Sequence, residues 1–283
     1  MPQGQSEVEA KMRESRGEAG HSPALGKRRR ALFAVLATSV AWLTPAHEAQ
    51  AIIGGAPAER PIGQSLVMVL AEGGGACSGV IISPHTVLTA GHCLPKGHQI
   101  RVYAPSADTP GPPHLIVPLA SAVHPGYAAN GVGTRRRSID LALIRLPEAL
   151  PASYTASSLS LAAPPGAGET VILAGDGLSQ EGVAASSGKP RSLSLPVIEP
   201  FGRGTILLWA APGDGESKGA CEGDSGGAML KPQGGLVAII AFAEGTGHAR
   251  CGKLTQGVLL APQRQFIDAK LAEWGESARW TDQ

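Results

Sequence analysis

Cys221-Glu222-Gly223-Asp224-Ser225-Gly226-Gly227 is the stretch on which the reading of this chain turns, a serine set among glycines ahead of the apolar run Ala228-Met229-Leu230. A nucleophilic hydroxyl needs glycines beside it so that the backbone can turn sharply and present its N–H groups to an incoming carbonyl. An ordinary glycine-rich turn carrying an aspartate would look the same, so the loop decides nothing alone. Working outward, Asp140 opens the apolar run Asp140-Leu141-Ala142-Leu143-Ile144-Arg145-Leu146, and His92 lies in Thr89-Ala90-Gly91-His92-Cys93 directly after Val87-Leu88. An imidazole serves as general base only when something holds its tautomer, and a carboxylate shielded by an apolar strand suits that task. His21 and His47 lie in the N-terminal segment, and His85, His98, His114, His124 and His248 sit in loop-like or strand-edge contexts where solvation is the expectation.

Composition narrows what such a site can belong to. With 43% hydrophobic and 17% charged residues, 38 Gly and 23 Pro in 283, the chain suits compact domains and excludes collagen, coiled coil and long low-complexity tails. A net charge of +1 provides no basic excess for nucleic acid, and no run of about eighteen uncharged apolar residues calls for a membrane span. Four cysteines without a CxxC spacing weaken redox-motif and zinc-ribbon readings and favour disulfides if the chain is exported. Asp214 and Glu216 in a glycine-rich loop fit either a cation loop or a solvated acidic loop; the second is expected, and neither metal nor cofactor is predicted.

Export is what the N-terminus predicts. Lys27-Arg28-Arg29-Arg30 precede an apolar stretch from Ala31 to Leu43, followed by Pro45 and the small-residue site Ala49-Gln50-Ala51. A buried helix and a membrane anchor are the rival readings, but thirteen residues fall short of the roughly 20 that a span needs. Arg29-Arg30 before Ala31, Leu32 and Phe33 also loosely fits twin-arginine export. Residues 1–26 are polar and unpatterned, and Met12 is an alternative start. Residues 1–51 are therefore set aside as a removed leader, leaving Ile52 to Gln283 in the periplasm or the medium; the high Ala, Gly and Pro content has a bacterial look.

Short apolar or alternating runs bounded by Gly and Pro then recur: Ser65–Leu70, Thr86–Thr89, His114–Leu119, Ile139–Leu146, Thr170–Leu173, Ser192–Ile198, Thr205–Ala210, Leu236–Phe242 and Gly257–Leu260. This is an all-β rhythm. One helix is predicted at the end, opened by Pro262, with Ile267, Leu271 and Trp274 on one face before Gly275, docked onto a sheet surface. Pro147, Pro151, Pro164 and Pro165 bracket a Ser- and Ala-rich stretch, placing a boundary near residue 155 between halves 52–155 and 156–283.

Taken in order, Ile52-Ile53-Gly54-Gly55, TAGHC around His92, Val123-His124-Pro125-Gly126-Tyr127, DLALIRL from Asp140 and GDSGG around Ser225 resemble the trypsin/chymotrypsin-like serine proteases, from Ile52 to about Trp274. The resemblance implies two six-stranded antiparallel β-barrels with a C-terminal helix, together one peptidase domain with its site in the cleft. It implies His92, Asp140 and Ser225 as catalytic residues and the N–H groups of Gly223 and Ser225 as the oxyanion hole. It further implies disulfides Cys77 to Cys93 and Cys221 to Cys251, each contributing roughly 3 kcal/mol in the chain-entropy view. The freed amine of Ile52 is expected to pair with Asp224, so that removal of the leader would itself activate the enzyme.

The family places its specificity pocket at positions that fall here on Gly219, Ala220, Ala241, Ala243 and Gly257. With no carboxylate at Gly219, cleavage after Arg or Lys is not expected, and the Ala243 methyl should favour small or medium apolar side chains before the scissile bond. Glu222 at the rim should draw basic groups to neighbouring subsites. Gly175-Asp176-Gly177 stands where relatives usually carry an aromatic between glycines, and Ala241 replaces a usual serine. Polypeptide substrates, a protein inhibitor as an allowed partner, and a monomer without nucleic acid or membrane contact are the corresponding expectations. A non-catalytic binding protein on the same fold is the alternative function.

Overall fold

The computed structural model describes residues 52–104, 115–129, 137–199 and 202–282. The leader and its export signal lie outside them. No described helix is long and apolar enough to cross a membrane.

The first half contributes β1 (Ala56–Pro57), β2 (Leu66–Ala71), β3 (Gly75–Ser83), β4 (Thr86–Thr89), β5 (Ile100–Tyr103), β6 (Leu115–Ile116), β7 (Ala120–Val123) and β8 (Ala142–Arg145). Seven of these form one sheet in the order β6-β5-β2-β3-β4-β8-β7. Laid flat it would be about 29 Å from edge to edge, at about 4.8 Å per step. Its two edges nevertheless lie on one segment, parted only by residues 117–119, which reach about 14 Å at full extension. The sheet must therefore curl. No ladder joins β6 to β7 among the described residues, so where two closed barrels were expected the first half is a curled half-barrel sheet whose edges are linked only by the chain through Pro118.

β9 (Leu159–Ser160), β10 (Thr170–Gly175), β11 (Arg191–Ile198), β12 (Leu207–Ala210), β13 (Ala228–Leu230), β14 (Leu236–Gly245), β15 (Gly252–Leu259), helix α1 (Arg264–Glu273) and β16 (Trp280–Thr281) follow. Here six strands close completely, β13-β10-β11-β12-β15-β14 with β13 pairing back onto β14. β1 also belongs to this second sheet, with Ala56 opposite Ser192 and Pro57 opposite Arg191. The first described residues thus sit against the second half.

Three apolar clusters hold the fold. Val67, Val69, Ile81, Val87, Val102 and Ile144 fill the first sheet's interior, and Val171, Leu173, Val197, Leu208, Met229 and Ile240 fill the second barrel. The third lies between the halves, where Leu66, Leu88 and Leu143 meet Leu159, Leu236 and Ile239. Ile267, Leu271 and Trp274, spaced at i, i+4, i+7, place one face of α1 into this same cluster. The helix therefore seals the seam between the sheets and does not lie on one of them. Past the helix, the Glu276 carboxylate accepts hydrogen bonds from the Ser83 and Thr86 hydroxyls and the His85 main chain, tying the C-terminal segment to the β3–β4 turn.

The periodicity predicted β4 with its observed bounds and most of β2, β8, β10, β11, β12 and β14. It missed β3, although seven of its nine residues are buried. Gly75, Cys77, Ser78 and Gly79 break its apolar run. Gly79 has to be small, because a side chain there would collide with Val87 and lie 3.1 Å from Val69.

Candidate active site

Each half brings one part of the site to the cleft between them. The first part comes from strand ends. β4 leads into a single 3-10 turn, Gly91–Cys93, that carries His92, while Asp140 stands two residues before the neighbouring β8. Because β4 and β8 pair from Thr86–Arg145 to Thr89–Ala142, these ends lie side by side. Asp140 Oδ1 accepts the His92 backbone N–H at 2.8 Å, and Asp140 Oδ2 stands 2.7 Å from His92 Nδ1. A carboxylate only accepts, so the Nδ1 position carries the proton and Nε2 keeps a lone pair. Tyr127 packs over Gly91, its ring 3.2 Å from where a side chain there would begin. Burial, and after it the Asp140 charge, push the Tyr127 phenol up from its ordinary value.

The second part is a loop held by backbone contacts. Half-buried Ser225 lies between Cys221 and β13, and four successive carbonyls of the loop are engaged. That of Glu222 accepts Leu178 N–H at 2.7 Å, Gly223 accepts the Ser78 hydroxyl at 2.8 Å, Asp224 accepts Gly227 N–H at 2.9 Å, and Ser225 accepts Ser78 N–H at 2.8 Å. In a trans peptide the N–H points away from the preceding carbonyl, which turns the Gly223 N–H from Leu178. Among the described residues neither the Gly223 nor the Ser225 N–H is taken up by another group. Glycines allow this loop to interlock with Gly175-Asp176-Gly177. A methyl on Gly223, where φ is 91°, would lie 2.7 Å from Gly177 Cα.

Ser225 Oγ and His92 share no hydrogen bond among the described residues; contacts of this kind are often long without substrate. Their segments are brought together by packing, since a side chain at Gly226 would overlap the Ser78 carbonyl and the Thr89 hydroxyl. Disulfides brace both parts, Cys77–Cys93 at the His92 turn and Cys221–Cys251 between the serine loop and β15. A cleft of about 300 Å³ beside them is lined by His92, Asp140, Tyr127, Leu207, Phe242 and Val258.

Beneath the serine, Asp224 is completely buried. Its Oδ1 accepts Gly177 N–H at 2.9 Å and its Oδ2 accepts Cys221 N–H at 2.8 Å. The main-chain nitrogen of Ile52, itself fully buried, hydrogen-bonds to the same carboxylate. Burial nevertheless pushes Asp224 up to about 7, these hydrogen bonds opposing it and nearby Asp176 adding to it. Asp176 is also pushed up to about 7 by burial. Nothing in the local sequence pattern indicated that its carboxylate would be covered.

The residues expected to form the specificity pocket lie on three segments, one before Cys221, one on β14 and one on β15. Gly219 and Ala220 lie together against β15, and Gly219 exchanges hydrogen bonds with Ile53 at 2.9 and 3.1 Å. Ala243 sits opposite Thr255, however, and Gly257 opposite Ile240, because the β14–β15 register shifts at Ala241. A side chain on Gly257 would collide with Met229 Sδ in the barrel core. Thr255 is fully buried, its Oγ1 accepts Ala220 N–H at 3.0 Å, and it lies 3.0 Å from where a Gly219 side chain would begin. Glu222 is not a free rim charge, since Arg250 Nη1 meets its Oε1 at 2.5 Å while Glu181 accepts the Arg250 N–H at 2.9 Å. Glu216 in the acidic loop pairs with Lys218 at 3.1 Å.

Comparison with known proteins agrees with this geometry. Residues 52–259 match the sequence model of the family described as Trypsin. Human Kallikrein-4 is 28% identical over 212 residues, covering 70% of this chain and 76% of its own, and Trypsin alpha of Drosophila melanogaster is 26% identical over 193 residues, covering 63% and 72%. Among solved structures, human heparin binding protein superposes with a TM-score of 0.63 at 22% identity over 80% of this chain and 99% of its own, a likeness of fold. The match over most of Ile52 to Leu259, together with the strand-end histidine and the interlocked serine loop, shows that this chain belongs to the trypsin family of serine proteases.

Proposed function

We propose that the chain is an exported serine endopeptidase that cleaves polypeptides after small or medium apolar residues. The observation that carries this reading is the His92–Asp140 arrangement, in which two contacts to one carboxylate leave Nε2 as the only free imidazole nitrogen at the cleft. In the proposed reaction His92 Nε2 takes the Ser225 Oγ proton as the oxygen attacks the peptide carbonyl, and the carbonyl oxygen, now negative, is held by the Gly223 and Ser225 N–H groups. His92 then returns the proton to the departing amine. Water, deprotonated by the same nitrogen, hydrolyses the acyl ester on Ser225.

Activation fits the same frame. Ile52 adopts a φ of 55°, a region that a β-branched residue occupies only at a cost. φ depends on the preceding carbonyl, so cutting between Ala51 and Ile52 abolishes that torsion as it creates an ammonium beside Asp224. The ammonium then holds the Asp224 carboxylate ionised and fixes the loop above it. Specificity follows from Gly219 and Ala220, which bring no charge to attract Arg or Lys, and from the Ala243 methyl, which favours small or medium apolar side chains.

The test is the intact mass of the purified exported protein before and after a fluorophosphonate probe. One adduct, on a chain starting at Ile52 and absent from Ser225→Ala, is the expected result. A chain starting at Ile52 that takes no adduct would replace this reading with the non-catalytic binding protein. A longer, unreactive chain would show that export leaves a zymogen awaiting a separate activator.

A further inference from the structure

We infer that Ser78 is a positioning residue for the oxyanion loop, an inference that rests on the hydrolase reading above. Ser78 belongs to β3 of the first half, is fully buried, and follows Cys77, whose disulfide ends beside His92. Its hydroxyl accepts the Asp176 N–H at 2.8 Å and lies 2.8 Å from the Gly223 carbonyl. The acceptor side being occupied by Asp176, the one hydroxyl proton points to Gly223. The Ser78 main-chain N–H meanwhile holds the Ser225 carbonyl at 2.8 Å. One residue of the first half thus grips the carbonyls on either side of Asp224, which belong to the two residues whose N–H groups would bind the oxyanion.

Gly223 needs that grip. With φ at 91° and no side chain, its peptides are free to turn unless their carbonyls are fixed. The preceding carbonyl is held by Leu178, within the second half, whereas its own is held only by the Ser78 hydroxyl among the described residues. Asp176 helps through its backbone N–H, so its carboxylate is not required for this function. Ser78 touches neither substrate nor reacting atoms. Leu178 orients the peptide that carries the Gly223 N–H, whereas Ser78 fixes the Gly223–Asp224 and Ser225–Gly226 peptides on either side of the one that carries the Ser225 N–H; it thereby holds the turn on which both donors are presented and couples the serine loop to the strand-and-disulfide frame that holds His92.

The experiment compares mature wild type, Ser78→Ala and Ser78→Cys, the cysteine keeping the shape with a weaker donor. Both kcat and KM are measured on a peptide substrate, together with inhibition by a peptide aldehyde, which forms a tetrahedral adduct, and by the matching peptide alcohol, which does not. Removing an oxyanion donor outright typically costs 10²- to 10³-fold in kcat. Loss of its support is expected to lower kcat of Ser78→Ala about 10-fold, with KM within about 2-fold and Ser78→Cys between. Aldehyde affinity should weaken in parallel while alcohol affinity holds. Unchanged kcat in folded Ser78→Ala, equal weakening of aldehyde and alcohol, or a rise in KM alone would overturn the assignment. Should Ser78→Ala fail to fold, Ser78→Cys with wild-type kcat and aldehyde affinity would overturn it. Failure of the underlying reading is separate, because wild type itself would then neither hydrolyse the peptide nor bind the aldehyde more tightly than the alcohol.

Discussion

The two sides of the cleft are built in different ways. His92 and Asp140 occupy the ends of paired strands, and two hydrogen bonds to one carboxylate complete their arrangement within a single sheet. Ser225 stands in a loop without regular structure, shaped by glycine contacts with a second loop, by Ser78 from the other half, and by the buried Asp224. The histidine side is therefore fixed once the first sheet forms. The serine side depends on satisfying a carboxylate that has no water around it, which makes it the natural place for activation to act.

The largest effect that can break this contrast lies on the histidine side. Asp140→Asn removes the obligate acceptor and allows the wrong tautomer, so a fall in kcat of roughly 10⁴-fold is expected in steady-state hydrolysis, without loss of fold. A drop below about 10-fold would mean that the carboxylate does not orient His92. On the serine side, Asp224→Asn would leave the proposed Ile52 ammonium unpaired. Breaking a buried pair costs on the order of 3 to 5 kcal/mol, so activity lower by about 10²-fold to several thousand-fold is expected. The downfield NMR resonance of the His92 Nδ1 proton should survive this substitution. Its disappearance would show that the two sides are not independent.

Asp176 sharpens the contrast through pH. Its folded-state pKa is raised to about 7 from 3.8, so the native state holds the proton more tightly than the unfolded chain between these values. Its contribution to stability is present below about pH 4 and is lost as pH rises toward 7. In the inactive Ser225→Ala background, Asp176→Asn should raise stability above pH 7 by on the order of 2 to 4 kcal/mol, with little change at pH 4, in denaturant melts. Equal stability at both pH values would mean that the carboxylate is solvated. The smallest effect concerns the pocket: Ala243→Gly should move the preferred residue before the cleaved bond toward larger apolar side chains by about 10-fold in kcat/KM. Unaltered preference would place specificity elsewhere than Ala243.

Much of this molecule was legible in one dimension. The strand rhythm marked β4, β8, β10, β11 and β14, the i, i+4, i+7 spacing marked the buried face of α1, and the residue settings around His92, Asp140 and Ser225 marked the two sides of the cleft. β3 escaped because its glycines and serine answer to neighbours across the sheet, Val87 and Val69 for Gly79 and the serine loop for Ser78. No periodicity within the strand records such demands.

What the sequence by itself determined is the chemistry available: which side chains can take a proton, attack or be buried, and the order in which they come. Tertiary structure alone decided the rest. A register shift at Ala241 set Ala243 opposite Thr255, curling of the first sheet left its edges joined by a proline-containing bend, and loop packing buried Asp176 beside Asp224. Local sequence patterns report what each residue prefers next to its chain neighbours. Bulges, closure and desolvation are set by residues that are not chain neighbours, as Ser78 and Gly223 demonstrate with a separation of 145.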